Sequence, residues 1–176
     1  MPESLEARIR QALRPIHDYP KLGTIFYDSV GVFRNGQMLK EVVQAMAAPF
    51  KGQGITHVVG VEPQGQILGG AVACQLGAGF ISARKPRKLP WVQVRQVYSL
   101  EYGDDDLEAR RDDFIAADRV IVVDDMLSSG GTAEAAGQLV RALHGQLAGY
   151  SFMIEVLADK GREKVSDAPV HVLVKI

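Results

Sequence analysis

The chain has 176 residues, a net charge of −1, 47% hydrophobic residues and 23% charged residues, a composition typical of one globular domain. The near-neutral charge argues against a general nucleic-acid or membrane-surface role, and no apolar run approaches the roughly 20 residues of a membrane span. The single cysteine, Cys74, allows no internal disulfide and favours a reducing, cytoplasmic setting. We therefore expect one domain, residues 1–176, that acts on a small molecule, with neither nucleic acid nor membrane as a partner.

The first 50 residues predict two helices with a loop between them. Leu5, Ile9 and Leu13 recur at helical spacing and follow Ser4, a residue type that often caps helices. Residues 18–23 contain Pro and Gly, which are typical of a loop. A second set of apolar residues at helical spacing then predicts a helix over residues 37–48.

Strands and helices alternate after residue 55. Apolar, largely β-branched runs predict strands at residues 55–61, 80–83, 120–123, 150–156 and 170–174, with helices at 66–76 and 132–144. Wholly apolar strands between helices indicate an α/β fold with a central, mostly parallel twisted sheet flanked by helices. Right-handed crossovers place the strand carboxyl ends on one edge, where ligands bind in open sheets. Residues 84–103 break the alternation, and a long irregular insert of this kind is typical of a lid.

The most informative segment is VIVVDDMLSSGGT at residues 120–132. An apolar strand ends there in two acids, Asp124 and Asp125, and a helix begins near the end of the segment. The two carboxylates suit sugar hydroxyls, which donate hydrogen bonds, or a bound metal ion. The alternative is that both acids are solvated charges beside an ordinary Gly-rich turn.

The turn after the two acids carries donors that suit a phosphate. Its glycines let the backbone approach a ligand closely, and free amides at a helix start favour an anion. Hydroxyl groups add further donors. The predicted phosphate cradle consists of Ser128, Ser129, Gly130, Gly131 and Thr132.

This segment resembles the signature of the type I phosphoribosyltransferases. Four other segments resemble that family in the same order: DYPKLGTIF at 18–26, RKPRKLP at 84–90, YSLEYG at 98–103 and KGREK at 160–164. As a whole the chain is most similar to the members that use adenine. The resemblance implies the family fold, with an N-terminal hood segment over residues 1–35 and a flexible lid loop over residues 84–103. It also implies a homodimer that transfers a 5-phosphoribosyl group from its 1-diphosphate to adenine, giving AMP and pyrophosphate, with Mg²⁺ bound to the diphosphate.

The resemblance also implies roles for individual residues. The cradle would hold the 5′-phosphate and the two acids would hold the ribose hydroxyls, while Glu101 would be a catalytic carboxylate that handles a purine proton. No residue is implied as a direct metal ligand. Pyrophosphate would be bound by Glu62, Pro63, Gln64, Gly65, Arg84, Lys85 and Lys88, and the base by Ile25, Phe26 and Tyr27.

Among the positions that depart from the family pattern, three lie in the base-binding segment and in the turn at 62–65. Tyr27 stands where an Arg is common, and Pro63 fills a small position in a turn that often holds a cis peptide bond, which proline favours. Gln64 replaces an Arg, and a neutral hydrogen bond is roughly half as strong as a charge-assisted one. Two alternatives therefore stay open: the same reaction on another purine, and a non-catalytic sensor of nucleotide or phosphoribosyl diphosphate. For the segment 160–164, a contact with the site and a solvated turn are equally open.

Overall fold

The structure is a computed structural model that describes residues 3–19, 21–85, 93–100, 103–110 and 117–176. The helices are α1 (Leu5–Ala12), α2 (Val30–Phe33), α3 (Gly36–Ala47), α4 (Gln64–Leu76) and α5 (Gly131–Ala142). The strands are β1 (Arg14–His17), β2 (Ile25–Asp28), β3 (His57–Val61), β4 (Gly79–Ala83), β5 (Gln93–Leu100), β6 (Gly103–Arg110), β7 (Arg119–Leu127), β8 (Gln146–Glu155) and β9 (Val170–Lys175). Short 3-10 turns lie at Ala48–Phe50, Leu157–Asp159 and Gly161–Val165. Within these described ranges, no helix has the length and apolar character needed to cross a bilayer.

Capping residues set the bounds of the predicted helices. The Ser4 hydroxyl accepts a hydrogen bond from the Ala7 amide at 3.1 Å, and the Asn35 side chain accepts one from the Met38 amide at 3.0 Å. Each satisfies an amide that lacks a partner in the first helical turn. Gly77, at φ +67°, ends α4 in a left-handed conformation. The helices predicted at 37–48, 66–76 and 132–144 are confirmed to within two residues at each end.

The core is a five-stranded sheet in the order β4-β3-β7-β8-β9, and every neighbouring pair is parallel. Helices α3 and α4 pack on one face through side chains such as Val42 and Leu68. Helix α5 packs on the other face through Leu139 and Val140. The predicted parallel sheet with helices on both faces is therefore confirmed.

The central strand β7 is longer than the predicted residues 120–123. Its parallel pairing with β8 continues past the apolar run, with Asp124 opposite Phe152 and Leu127 opposite Glu155. The sequence predicts that the strand ends before Asp124 and Asp125. In the structure, pairing with β8 keeps residues 124–127 extended as part of β7. Consequently both carboxylates are carried on the carboxyl end of a rigid central strand.

Two antiparallel hairpins lie outside the main sheet. In the first, β1 pairs with β2, and the predicted loop between them is closed by a 2.7 Å hydrogen bond from the Gly23 amide to Asp18 Oδ1. In the second, β5 pairs with β6. Residues 93–100 of the insert predicted over 84–103 therefore form a regular strand, although their sequence has little periodicity. The pairing partner supplies their backbone hydrogen bonds, so local periodicity does not reveal the strand.

Candidate active site

A cavity of about 620 Å³ opens at the carboxyl edge of the sheet, within the roughly 300–1,000 Å³ of small-molecule sites. The first wall is the hood hairpin with residues 23–27. The second is the end of β7 with the start of α5, residues 126–133. The third follows β8 and consists of Val156, Ala158 and Asp159. The edge predicted to bind a ligand therefore holds a cavity of the right size.

The cradle residues 128–132 all line this cavity. Gly130 adopts φ +79° immediately before α5, a conformation that other residues rarely adopt. The first amide that bonds within the helix is that of Glu134, which donates to the Gly130 carbonyl at 2.9 Å. Across the ranges that the structure describes, the amides of residues 129–133 donate to no other residue. This leaves a set of main-chain donors at a helix start, the arrangement that binds phosphate.

Gly161, in the turn after β8, supports the cradle by direct contact. A Cβ at Gly161 would lie 1.9 Å from the Ser128 carbonyl oxygen and 2.8 Å from the Gly130 nitrogen. A Cβ at Gly130 would lie 2.4 Å from the Gly161 carbonyl oxygen. Only two glycines permit this approach, because any Cβ would need the backbone to move. The segment 160–164 therefore contacts the cradle through Gly161, whereas Glu163 in the same segment is exposed and does not line the cavity.

Asp124 projects into the cavity beside the cradle. Its carboxylate accepts hydrogen bonds from the Asp125 amide at 2.9 Å and from the Gly65 amide. Burial raises the pKa of the Asp124 carboxyl well above its usual range, and the neighbouring Asp125 carboxylate raises it further. The protein thus only partly compensates a negative charge on Asp124. Hydrogen-bond donors or positive charge on a ligand would provide the remaining compensation.

Asp125 does not line the cavity, although its side chain is hydrogen-bonded to that of Asp124. Its Oδ2 accepts a hydrogen bond of 2.6 Å from the Ser29 hydroxyl, just before α2. Burial raises the pKa of Asp125, although the hydrogen bond from Ser29 opposes this effect. Of the two predicted sugar ligands, Asp124 is therefore placed directly at the cavity. Asp125 ties the hood to the central strand.

The predicted pyrophosphate turn lies next to Asp124, between β3 and α4. The Glu62–Pro63 peptide bond is cis, as the family resemblance leads us to expect, and Gln64 is the first residue of α4. A Cβ at Gly65 would lie 2.7 Å from Asp124 Oδ1, so glycine lets the turn approach the acid. Residues 62–65 adjoin the cavity through this contact but are not part of its lining.

The basic residues after β4 are only partly described. The Lys85 amide donates to Glu62 Oε1 at 2.7 Å, which joins the start of the insert to the pyrophosphate turn. The backbone of Arg84 pairs with Glu108 in β6, and Arg84 Nε donates to the Ser82 hydroxyl at 3.0 Å. Lys88 and the predicted catalytic Glu101 lie outside the described residues.

The predicted base-binding residues form the hood wall of the cavity. Ile25, Phe26 and Tyr27 all line it, and 46% of Ile25 and 39% of Phe26 are exposed. The Phe26 ring meets Tyr19 edge-on, with ring centroids 5.6 Å apart. Exposed apolar side chains facing a cavity are what a flat heterocycle requires for stacking.

Three contributors to the site escape the sequence analysis. Tyr19 lies in a segment predicted to be a loop, and Ser29 has no local pattern. Asp159 lines the cavity and accepts a hydrogen bond from the Ser128 hydroxyl at 2.5 Å. The family-like segment that begins at Lys160 indicates that this turn is of interest, but the segment does not include Asp159.

Comparison with known proteins agrees with this geometry. Residues 32–176 match the family described as "Phosphoribosyl transferase domain". Adenine phosphoribosyltransferase of Myxococcus xanthus is 46% identical over 153 residues, covering 87% of this chain and 83% of that protein. The crystal structure of adenine phosphoribosyltransferase from Rhodothermus marinus superposes with a TM-score of 0.92 at 38% identity, covering 98% of both chains. The Saccharomyces cerevisiae enzyme, solved with an imino-altritol bisphosphate and adenine, gives a TM-score of 0.89 at 34% identity, covering 96% of this chain and 98% of that one.

Proposed function

The chain belongs to the phosphoribosyltransferase family, and from that premise we propose that it transfers a 5-phosphoribosyl group from its 1-diphosphate to adenine. The products are AMP and pyrophosphate, and the role is purine salvage. The relatives named adenine phosphoribosyltransferase, at 46% and 42% identity, support this choice of base. So does the yeast structure that contains adenine.

One observation supports the proposal: a single cavity combines the three chemically different parts that this reaction needs. The amides of residues 129–133, which donate to no other described residue, would form the anion-binding end. Asp124 lines the same cavity beside them, where it would meet the sugar hydroxyls. Exposed Ile25 and Phe26 provide an apolar wall for a planar base. A ribose that carries a 5′-phosphate and receives a base at its anomeric carbon matches all three parts.

Asp124 has a second role in the proposed reaction. Displacement at an anomeric carbon passes through an oxocarbenium-like state, which carries positive charge on the sugar ring. A preorganised carboxylate stabilises such a charge without reorganising during the step. Burial raises the pKa of Asp124, and positive charge that develops on the sugar would favour its ionised form.

We include Mg²⁺ in the proposal as an ion that enters with the diphosphate. The described residues contain no group of three or more His, Cys, Asp or Glu side chains placed to hold a metal. Mg²⁺ usually keeps several waters and is held by one or two carboxylates together with substrate phosphates. Asp124, beside the glycine of the pyrophosphate turn, fits that mode, and Mg²⁺ would neutralise phosphate charge there.

The proposal also includes a homodimer in the cytoplasm. Large apolar side chains remain exposed along one edge of the sheet, namely Phe80 on the edge strand β4 and Ile67 on α4. A second copy of the chain would cover such a surface. Cys74 is exposed and is the single cysteine, which suits a reducing compartment. Sedimentation equilibrium at several protein concentrations tests the dimer.

The decisive assay measures pyrophosphate release with Mg²⁺, phosphoribosyl diphosphate and each purine in turn. We expect release with adenine, and AMP as the second product by chromatography. Turnover with hypoxanthine or guanine in preference to adenine would replace the proposed base. Calorimetric binding of the diphosphate without turnover on any purine would contradict the enzymatic function itself.

A further inference from the structure

Asp159 is a carboxylate in a cavity whose neighbouring loop is built for an anion. Its Oδ2 accepts the 2.5 Å hydrogen bond from the Ser128 hydroxyl, and both residues line the cavity. Of the described lining residues, Asp124 and Asp159 are the charged ones, and none is Lys or Arg. Asp124 has its place beside the sugar, but the role of Asp159 in phosphoribosyl transfer is so far unexplained.

The phosphate is not a suitable partner for Asp159. A phosphate monoester is a dianion near neutral pH and would be repelled by a second negative charge. The donors that suit the phosphate are the amides of residues 129–133, whereas the hydrogen bond that Asp159 accepts from the cradle comes from the side chain of its first residue, Ser128. The carboxylate must therefore serve a part of the ligand that donates hydrogen bonds.

The surroundings of Asp159 indicate which part this is. Its neighbours on the same wall are Val156 and Ala158, and the wall formed by the hood carries Phe26. These side chains suit the faces of a flat aromatic ring rather than a phosphate or a diphosphate. An ionised carboxylate is acceptor-only, so the ring that it meets must offer an N–H group.

The Ser128 hydroxyl gives this acceptor a fixed direction. It occupies Oδ2, and within the described part of the chain Oδ1 has no partner. A carboxylate held through one oxygen presents the other in a defined place, which is what discrimination between similar ligands requires. The exposed position of Asp159 leaves Oδ1 accessible until a ligand covers it.

We propose that Asp159 is a specificity-determining residue that accepts a hydrogen bond from the exocyclic amine of the base, so that the site favours 6-aminopurines over 6-oxopurines. This inference rests on the proposed function and deepens it. A 6-oxopurine would direct a carbonyl oxygen towards the Asp159 carboxylate. Both groups are acceptors, so they cannot form a hydrogen bond with each other. Rejection of this kind is stronger than rejection by size alone, because a buried polar group is left without a partner.

The test compares wild type with Asp159→Asn. Asparagine keeps the shape, its carbonyl oxygen can still accept from Ser128, and its NH₂ group now faces the base as a donor. We expect the ratio of kcat/KM for adenine to kcat/KM for hypoxanthine to fall by about tenfold or more, through the KM for the base. The KM for phosphoribosyl diphosphate should stay within about twofold.

Glu163→Gln is the matched control. Glu163 is exposed, lies in the turn Gly161–Val165 and loses the same unit of charge on substitution. Its base ratio should equal that of wild type. A ratio that is unchanged in Asp159→Asn, or an effect confined to the KM for the diphosphate, would overturn the inference and assign Asp159 to cradle support through Ser128.

Calorimetry with AMP and IMP separates this inference from the proposed function. If wild type shows no turnover but binds AMP more tightly than IMP, and Asp159→Asn reverses that order, the specificity role stands and the enzymatic function fails. If wild type is active and the preference is the same in both proteins, only the specificity role fails. If neither nucleotide binds to wild type, both are overturned.

Discussion

Gly161→Ala tests whether the turn after β8 sets the shape of the phosphate cradle. The added Cβ would lie 1.9 Å from the Ser128 carbonyl oxygen, whereas real Cβ contacts essentially never fall below 3.0 Å. The two segments must therefore separate by at least about 1 Å, and the obstructing atoms are backbone. Overpacking of this kind costs about 1–3 kcal/mol. Since Gly161 is not among the glycines at positive φ, the cost comes from the contact and not from backbone strain.

The expected results concern both stability and catalysis. At about 2 kcal/mol, the melting temperature of a chain of this length falls by roughly 4–8 °C. Because a displacement of about 1 Å at a reacting site lowers the rate by roughly 100-fold, kcat/KM for phosphoribosyl diphosphate should fall on that order. Thermal unfolding and initial-rate kinetics measure the two effects, and calorimetry with ribose 5-phosphate reports on the cradle alone.

Gly70→Ala is the matched control for this substitution. Gly70 lies inside α4, and a Cβ there would meet nothing within 4 Å. Alanine should stabilise the helix by about 0.5–1 kcal/mol and leave ribose 5-phosphate affinity unchanged. If Gly161→Ala binds ribose 5-phosphate as tightly as wild type does, the contact between the two loops does not shape the cradle and our reasoning is refuted.

Three other substitutions have defined outcomes. Asp124→Asn should lower kcat by about 100-fold or more yet raise the melting temperature at pH 7, because burial raises the pKa of Asp124 and disfavours its ionised form in the folded chain. This gain in melting temperature should shrink as the pH falls below the ordinary Asp pKa, since the carboxyl is then protonated in both the folded and the unfolded chain. An equal gain at pH 3 and pH 7 would contradict this reasoning. Glu155→Gln should lower the free energy of unfolding, measured in urea at pH 7, by roughly 1–3 kcal/mol, since Arg162 pairs with the buried Glu155 at 2.6 Å and lowers its pKa. The wild-type protein should lose this extra stability as the pH falls through the lowered pKa of Glu155. Equal unfolding midpoints of the two proteins at pH 7 would exclude the pair as a stabilising contact. Gln64→Arg should lower the KM for the diphosphate by up to about tenfold, and an unchanged or higher KM would mean that the turn is adapted to glutamine.

Local periodicity in the sequence is enough to predict most of the framework. The β-branched run at 55–61, the wholly apolar run at 120–123 and the small-residue segment at 66–76 predict two strands and a helix that the structure contains, without any knowledge of their neighbours. The cradle is equally local, because Ser128 to Thr132 follow one strand and begin one helix. Residues that are adjacent in sequence are also close in space, so the local sequence is enough to define the geometry of this motif.

The same reasoning misjudges elements whose stability comes from distant partners. Strand β5 has no clear alternation and exists because it pairs with β6, with Arg95 opposite Glu108 in the register. The end of β7 stays extended because β8 continues beside it. In both places hydrogen bonds to another segment compensate for a weak local preference, and the sequence of one segment does not report the partner.

By itself, then, the sequence determined the order of the elements, the glycine-rich loop before α5 and the family to which the chain belongs. The tertiary structure alone decided which distant side chains complete the site: Ser29 reaches Asp125 across 96 positions, and Ser128 reaches Asp159 across 31. These contacts arise because parallel strands bring the ends of separate segments to one edge of the sheet. A hydrogen bond of under 3 Å depends on that assembly, and local composition cannot encode it.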